Sequence, residues 1–365
     1  MSPDQEADGR PPEWSPDRTM LSRVQFALGQ AMSRSVAGRR TDLSRSCGWG
    51  SPADVRRKFA QYTGQMLEAL RADITEAPEK FHEKAVILRL SSYTAVELTL
   101  SSPALRHHFS GLLAAVAAIG GLEKAVETKQ LSPIRVTLFL ITIVITNTTS
   151  PSHDQMAAES YFTNRDIDSY YGWILFTGMP CPTNLFISIR DINQLRRKVA
   201  SSELGCAEVR SAAREILASV TEFDPDSWTE RCELPPGDLA RWVASMYQSA
   251  TRLYCLMSLA VPAGLPFSTQ HRIATAKALL GIIIQVVNRA GYVLATTWPL
   301  MVAGASLGGT PRSEHAGVDR LLGRVREADC ASDGVFLGHE CLRRFWASGK
   351  TGWDDCFTTW YATVP

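Results

Sequence analysis

The run Gly304-Ala305-Ser306-Leu307-Gly308 matches G-x-S-x-G, the pattern in which a serine rides a strained strand-to-helix turn and offers its hydroxyl to a histidine base. Acyl transfer at such a serine needs an acid and a histidine later in the chain. Asp333 and His339 stand in that order, but crowd into one short segment. It also needs a sheet already built before Ser306, where the chain reads as helices. The pattern fits better as a helix C-terminus, stopped at Gly304 or at Gly308-Gly309 by left-handed backbone.

Metal chemistry has little to work with. The eight cysteines are Cys47, Cys181, Cys206, Cys232, Cys255, Cys330, Cys341 and Cys356. None forms the close pair that brings two thiolates to one tetrahedral ion. A chain of this length is no disulfide-stapled miniature, so free thiols in a reducing compartment are expected. His107 and His108 are adjacent and point about 100° apart on a helix, which keeps both from one metal. Gly338-His339-Glu340-Cys341 sets a histidine two residues from a thiol, and reads as helix surface followed by core. H-E-x-x-H, the phosphate loop G-x-x-x-x-G-K-[ST] and G-x-G-x-x-G are all absent from the sequence. No catalytic residue, cofactor or metal is therefore expected.

Two basic triplets, Arg56-Arg57-Lys58 and Arg196-Arg197-Lys198, are of the type that contacts phosphate or serves nuclear import. Runs this short read first as solvated helix faces. Trp298, Trp346, Trp353 and Trp360 are the aromatic residues that would line a ligand pocket or anchor an interface, and both uses draw on the same large side chains.

The elements that must position these residues read as helices. Ser51-Pro52-Ala53-Asp54 supplies an N-cap, a first-turn proline and an acid at the positive helix end. Ser102-Pro103 opens a stripe of Leu105, Phe109, Leu112, Leu113 and Val116, weakened at its end by Gly120-Gly121. Asp238–Leu259 is the clearest amphipathic segment, with Leu239, Trp242, Val243, Met246, Tyr247, Ala250, Leu253, Tyr254 and Met257 at three- and four-residue steps. The segment from His271 through Ile284 is apolar almost all round, which predicts a central helix. Ile134–Thr146 is rich in Ile, Val and Thr. Propensity favours a strand there, but periodicity cannot separate a buried strand from a buried helix.

The bulk numbers agree with a folded chain. Hydrophobic residues make up 45% and charged residues 21%, and 38 basic residues face 37 acidic ones. That balance gives no field to draw the chain onto DNA or an anionic membrane. The polar N-terminus lacks the apolar core of a signal peptide. Val136–Thr146 is too short to cross a bilayer, which takes roughly 20 residues. Ala274–Leu307 is interrupted by Lys277, Gln285, Asn288 and Arg289, so no membrane association is expected. Residues 1–50, rich in Pro, Arg, Ser and Gly, read as disordered, and 51–365 as an all-α body.

The order and spacing of several segments carry a resemblance. They are Thr297-Trp298-Pro299-Leu300-Met301-Val302-Ala303-Gly304, Phe345-Trp346-Ala347-Ser348-Gly349-Lys350-Thr351-Gly352-Trp353, the stretch from Gly178 to Arg196, and the helix from Trp242 to Leu259. Together they resemble the helical effector domain of fungal zinc-cluster transcription factors, in the group around the acriflavine-sensitivity control protein. The resemblance implies an all-α multi-helix fold for 51–365, with a buried helix at Ile134–Thr146. It also implies action in the nucleus and control of a metabolic or secondary-metabolite pathway. The family's six-cysteine zinc cluster has no counterpart here, so no zinc-ligand role carries over to any position. Promoter DNA is then reached only indirectly, through other transcription regulators such as a zinc-cluster protein, with a small-molecule effector as a further expected ligand. The rival readings are a hydrolase-like enzyme built on Ser306 and a non-catalytic interaction protein. Without paired ligands, the purified chain should carry no stoichiometric zinc, and chelators should leave its melting temperature unchanged. Elemental analysis checks this, and tightly held zinc would overturn it.

Overall fold

The computed structural model describes parts of 61–75, then 84–99, 105–157, 161–171, 179–231, 238–288, 294–326 and 333–359. The N-terminal segment 1–50, the first basic triplet, Cys47, Cys232, Cys330 and Trp360 lie outside the described residues. Among the described residues the regular structure is helical throughout, with no strand. The helices run α1 (Lys84–Thr99), α2 (Leu105–Ala118), α3 (Leu122–Glu127), α4 (Pro133–Thr148), α5 (Asn164–Tyr170), α6 (Thr183–Ala200) and α7 (Cys206–Glu222). They continue with α8 (Pro225–Arg231), α9 (Asp238–Ala263), α10 (Thr269–Val287), α11 (Thr297–Ser306), α12 (Arg312–Arg326), α13 (Asp333–Ser348) and α14 (Trp353–Cys356). No described helix is long and apolar enough to cross a membrane.

The β-branched segment is α4, with Pro133 in its first turn. Burial decides against strand propensity, since every residue from Phe139 to Thr148 is buried. Three of its threonines bond back along the helix: Thr137 Oγ1 donates to Pro133 O at 3.1 Å, Thr142 Oγ1 to Leu138 O at 2.7 Å and Thr148 Oγ1 to Ile145 O at 2.6 Å. In α2 the expected stripe is the buried one, and Gly120 and Gly121, at φ 101° and 95°, provide the left-handed backbone that closes it.

The centre of the molecule differs from the sequence expectation. The apolar segment from His271 lies in α10, where Arg272, Ala276, Leu279, Ile283, Val286 and Val287 face inward while Lys277, Ala278, Gly281, Ile284 and Gln285 face water. Much of that outer face is Ala and Gly, which read as apolar yet cost little to expose. The fully enclosed helix is α11, all ten of whose residues are buried. The 26-residue α9 is the spine, packing on α6, α7, α10 and α11.

One buried cation ties these layers together. Arg196 is 3% exposed, so the second basic triplet is not the solvated face its composition suggests. Its Nη1 donates to Asn147 O at 3.2 Å, Thr148 O at 3.4 Å and Tyr254 Oη at 2.7 Å. Its Nη2 donates to Ser150 O at 3.0 Å and to Asp354 Oδ1 at 2.5 Å. Tyr254 Oη in turn donates to Asn193 Oδ1 at 2.5 Å, and Asn193 Nδ2 to Val144 O at 2.8 Å. Burial by itself would lower the Arg196 pKa, but the neighbouring Tyr254 and Asp354 outweigh it and hold the group charged. Thr148 sits beside this network and receives two indoles: Trp298 Nε1 donates to its Oγ1 at 3.0 Å and Trp353 Nε1 to its carbonyl at 2.8 Å.

Arg196→Met should therefore destabilise the chain by several kcal/mol, because each buried acceptor left without a donor costs about 1–3 kcal/mol. Asp354→Asn should cost much less, since that side chain is 48% exposed and can turn to water. Urea denaturation of the two variants checks the order.

Candidate effector site

The turn after α11 and the facing sides of α12 and α13 frame an open-sided cavity of about 580 Å³. Arg312, His315 and Asp319 reach it from α12 at steps of three and four, which place them on one helix face. Arg343, Trp346 and Ala347 reach it from α13 at the same kind of spacing, and Thr310 closes the end.

Several of the polar groups are held by a second. Trp346 Nε1 donates to Gly304 O at 2.8 Å, which fixes the indole against α11. The His315 ring stacks on that indole, with centroids 4.3 Å apart and planes 9° from parallel. His315 Nε2 lies 3.1 Å from Leu307 O, an atom that can only accept, so Nε2 carries the proton. The close approach of these elements depends on Gly308, where a Cβ would lie 2.4 Å from Cε1 of Phe345 and 2.7 Å from Lys350 O.

Behind the cavity wall, His339 Nε2 donates to Asp319 Oδ1 at 2.6 Å, and Arg343 Nε donates to the same oxygen at 3.3 Å. His339 Nδ1 is buried and finds no partner among the described residues. Burial pushes the imidazole below its ordinary pKa. The bond to Asp319 only partly offsets this, while Arg343 and Arg326 add to it. For Asp319, burial works upward, but the bonds from His339 and Arg343 win and hold the carboxyl below its ordinary value.

The aromatic residues named from the sequence separate in space. Trp346 lines the cavity. Trp298 and Trp353, 1% and 2% exposed, meet at Thr148 beside Arg196. Ser306 is the last residue of α11 and fully buried, with Oγ donating to Val302 O at 2.8 Å. It lies on no strand-to-helix turn. The helix end beyond it uses Gly309 at φ 71°. Cys341 is buried as expected, whereas His339, read as helix surface, is 1% exposed. Among the described residues no three His, Cys, Asp or Glu side chains are placed to hold a metal ion. Sequence reading passed over Arg312, Asp319 and Arg343. The available signal was the polar i, i+3, i+7 stripe of α12, which looks like any solvated face until α13 is set against it.

The fold is thus a helical body with a cavity lined by cations and an aromatic stack, and with the one elbow-like serine buried in its own helix. The comparisons with known proteins identify the family. The fungal specific transcription factor domain matches residues 48–347, and the chain belongs to that family. Over 257 residues it is 28% identical to the phomenoic acid biosynthesis cluster-specific transcriptional regulator of Leptosphaeria maculans, a match covering 69% of this chain and 49% of that protein. The chain thus spans about half the length of the curated relative it matches. No solved structure matches. The family and this relative are those of transcriptional regulators, not of enzymes.

Both pKa shifts at the site give the same pH dependence. A histidine or carboxyl whose folded pKa is depressed contributes stability above its unfolded pKa and loses it on acidification. Stability should begin to fall below about pH 6.5 through His339, and fall again below about pH 4 through Asp319. Replacing His339 with Gln keeps a donor for Asp319 and should flatten the first step only. Thermal melts across this range check it.

Proposed function

We propose that this chain is the effector part of a nuclear regulator that controls the genes of a biosynthetic pathway, of the secondary-metabolite kind. On this reading residues 51–365 are the effector unit, and the chain reaches promoter DNA through another transcription regulator, a zinc-cluster protein being the class that fits. The family match across 48–347, taken with the relative's role as a biosynthesis cluster-specific regulator, is the observation that carries it. The charge balance supports the indirect route. Sequence-specific binding needs a rigid element presenting side chains to base edges, and general binding needs an excess of cations on phosphates. With 38 basic and 37 acidic residues the chain offers no such excess. A partner would find exposed apolar side chains at Ile284 on α10 and Leu337 on α13. The cavity at Trp346 suits a small planar effector, held by the Arg312 and Arg343 guanidiniums beside the stacked rings.

Purified protein should bind promoter DNA only non-specifically, with a dissociation constant of roughly micromolar or weaker at physiological salt. A tagged copy in cells should be nuclear and should occupy promoters only while the DNA-binding partner is present. Gel shifts and chromatin immunoprecipitation test the two halves. A sharp, sequence-dependent shift of the purified chain at nanomolar concentration would sink the indirect route.

A further inference from the structure

Arg272 presents a different problem from Arg196. It is 6% exposed and holds the C-terminal end of α11, with Nη1 donating to Ser306 O and Nη2 to Gly308 O, each at 2.9 Å. Two carbonyls occupy two of its five N–H groups. No carboxylate pairs with it among the described residues, whereas Arg196 has Asp354. Burial lowers its pKa, and no neighbouring acid works against that. A desolvated cation without a counter-charge is costly unless something neutralises it.

Arg272 also lines a cavity of about 230 Å³, separate from the one at Trp346. Leu256, Met257, Leu265 and Phe267 form apolar walls, and Thr351-Gly352 passes along another side. Thr269, the first residue of α10, puts the positive end of that helix on the same lining. The volume is on the order of eight water molecules. One uncompensated positive charge calls for one negative charge, and the walls call for an apolar remainder.

We propose that this cavity binds a small monocarboxylate with a short alkyl chain, its carboxylate paired with Arg272 and its tail against Met257, Leu265 and Phe267. A polyanion such as phosphate fits poorly, because its extra charge would meet apolar walls. The bound acid would touch Thr351-Gly352, directly before the Trp353 and Asp354 that close on Thr148 and Arg196. Occupancy would therefore stiffen the C-terminal segment. The proposal is independent of the partner and promoter reading above, and no DNA or partner enters its test.

The experiment titrates the full chain with hexanoate, hexanamide and inorganic phosphate, by calorimetry and thermal shift. Hexanoate should bind saturably, one per chain, and raise the melting temperature. Hexanamide and phosphate should bind roughly tenfold more weakly or worse, the loss expected when a charge-assisted contact is missing or mismatched. Arg272→Met should lose hexanoate binding. Because it also strips two carbonyls and can fail to fold, Val261→Asp is the second variant. Val261 lines the same cavity yet is 93% exposed, so Val261→Asp sets a negative charge at the mouth without disturbing the core. It too should weaken hexanoate roughly tenfold or more. Equal binding of hexanamide or phosphate, undiminished hexanoate binding by Val261→Asp, or no saturable binding at all would each overturn the proposal.

Discussion

A guanidinium with almost no water around it must be solvated by protein, and Arg196 is solvated by pieces of chain far apart in sequence. Its five partners come from the end of α4, the turn after it, the middle of α9 and the start of α14. Hydrophobic contact alone lets helices slide, because apolar surface is satisfied in many registers. Hydrogen bonds to a buried cation are not, since a shift of one residue leaves donors or carbonyls unmet. The network thus sets the register of α4 against α6 and of α6 against α9, and the apolar core fills in around that arrangement.

The effector cavity inherits its geometry through α11. Trp298 near the start of that helix is bonded to Thr148, at the edge of the Arg196 network, and Gly304 near its end receives the Trp346 indole. One short, wholly buried helix therefore has its two ends attached to two different polar systems. Arg272 grips the carbonyl of the helix's last residue and one just beyond it. A helix so enclosed cannot tilt without disturbing all three, so the support behind Trp346 is fixed.

Much of the fold was legible in the sequence because helical spacing is a local signal. The stripe of α2 and the long apolar face of α9 could be read residue by residue. The segments that carry the family resemblance contain Asn193, Arg196, Tyr254, Trp298 and Trp353, the side chains of the Arg196 network and the two indoles on Thr148. What could not be read was where they meet. Arg196 stands in a basic triplet whose composition says solvent, and its burial is decided by carbonyls more than forty residues away. The same reason hid His339 and the stripe of α12. A polar residue is buried only when another segment brings its partner, and single-sequence periodicity carries no information about that segment. The misplaced centre has a simpler cause: Ala and Gly count as apolar in a pattern, yet α10 exposes them at little cost.

The attachment of Asp354 and Trp353 has a consequence for how the chain comes off the ribosome. Synthesis delivers α4, α6 and α9 long before residue 354, and until then Arg196 lacks the carboxylate of Asp354 and Thr148 the second of its two indoles. The nascent domain must wait, partly assembled, with a desolvated charge unanswered and apolar faces open. That interval is when a holding chaperone would matter most. A chain cut short before Trp353 would stay permanently in the state that the longer chain only passes through.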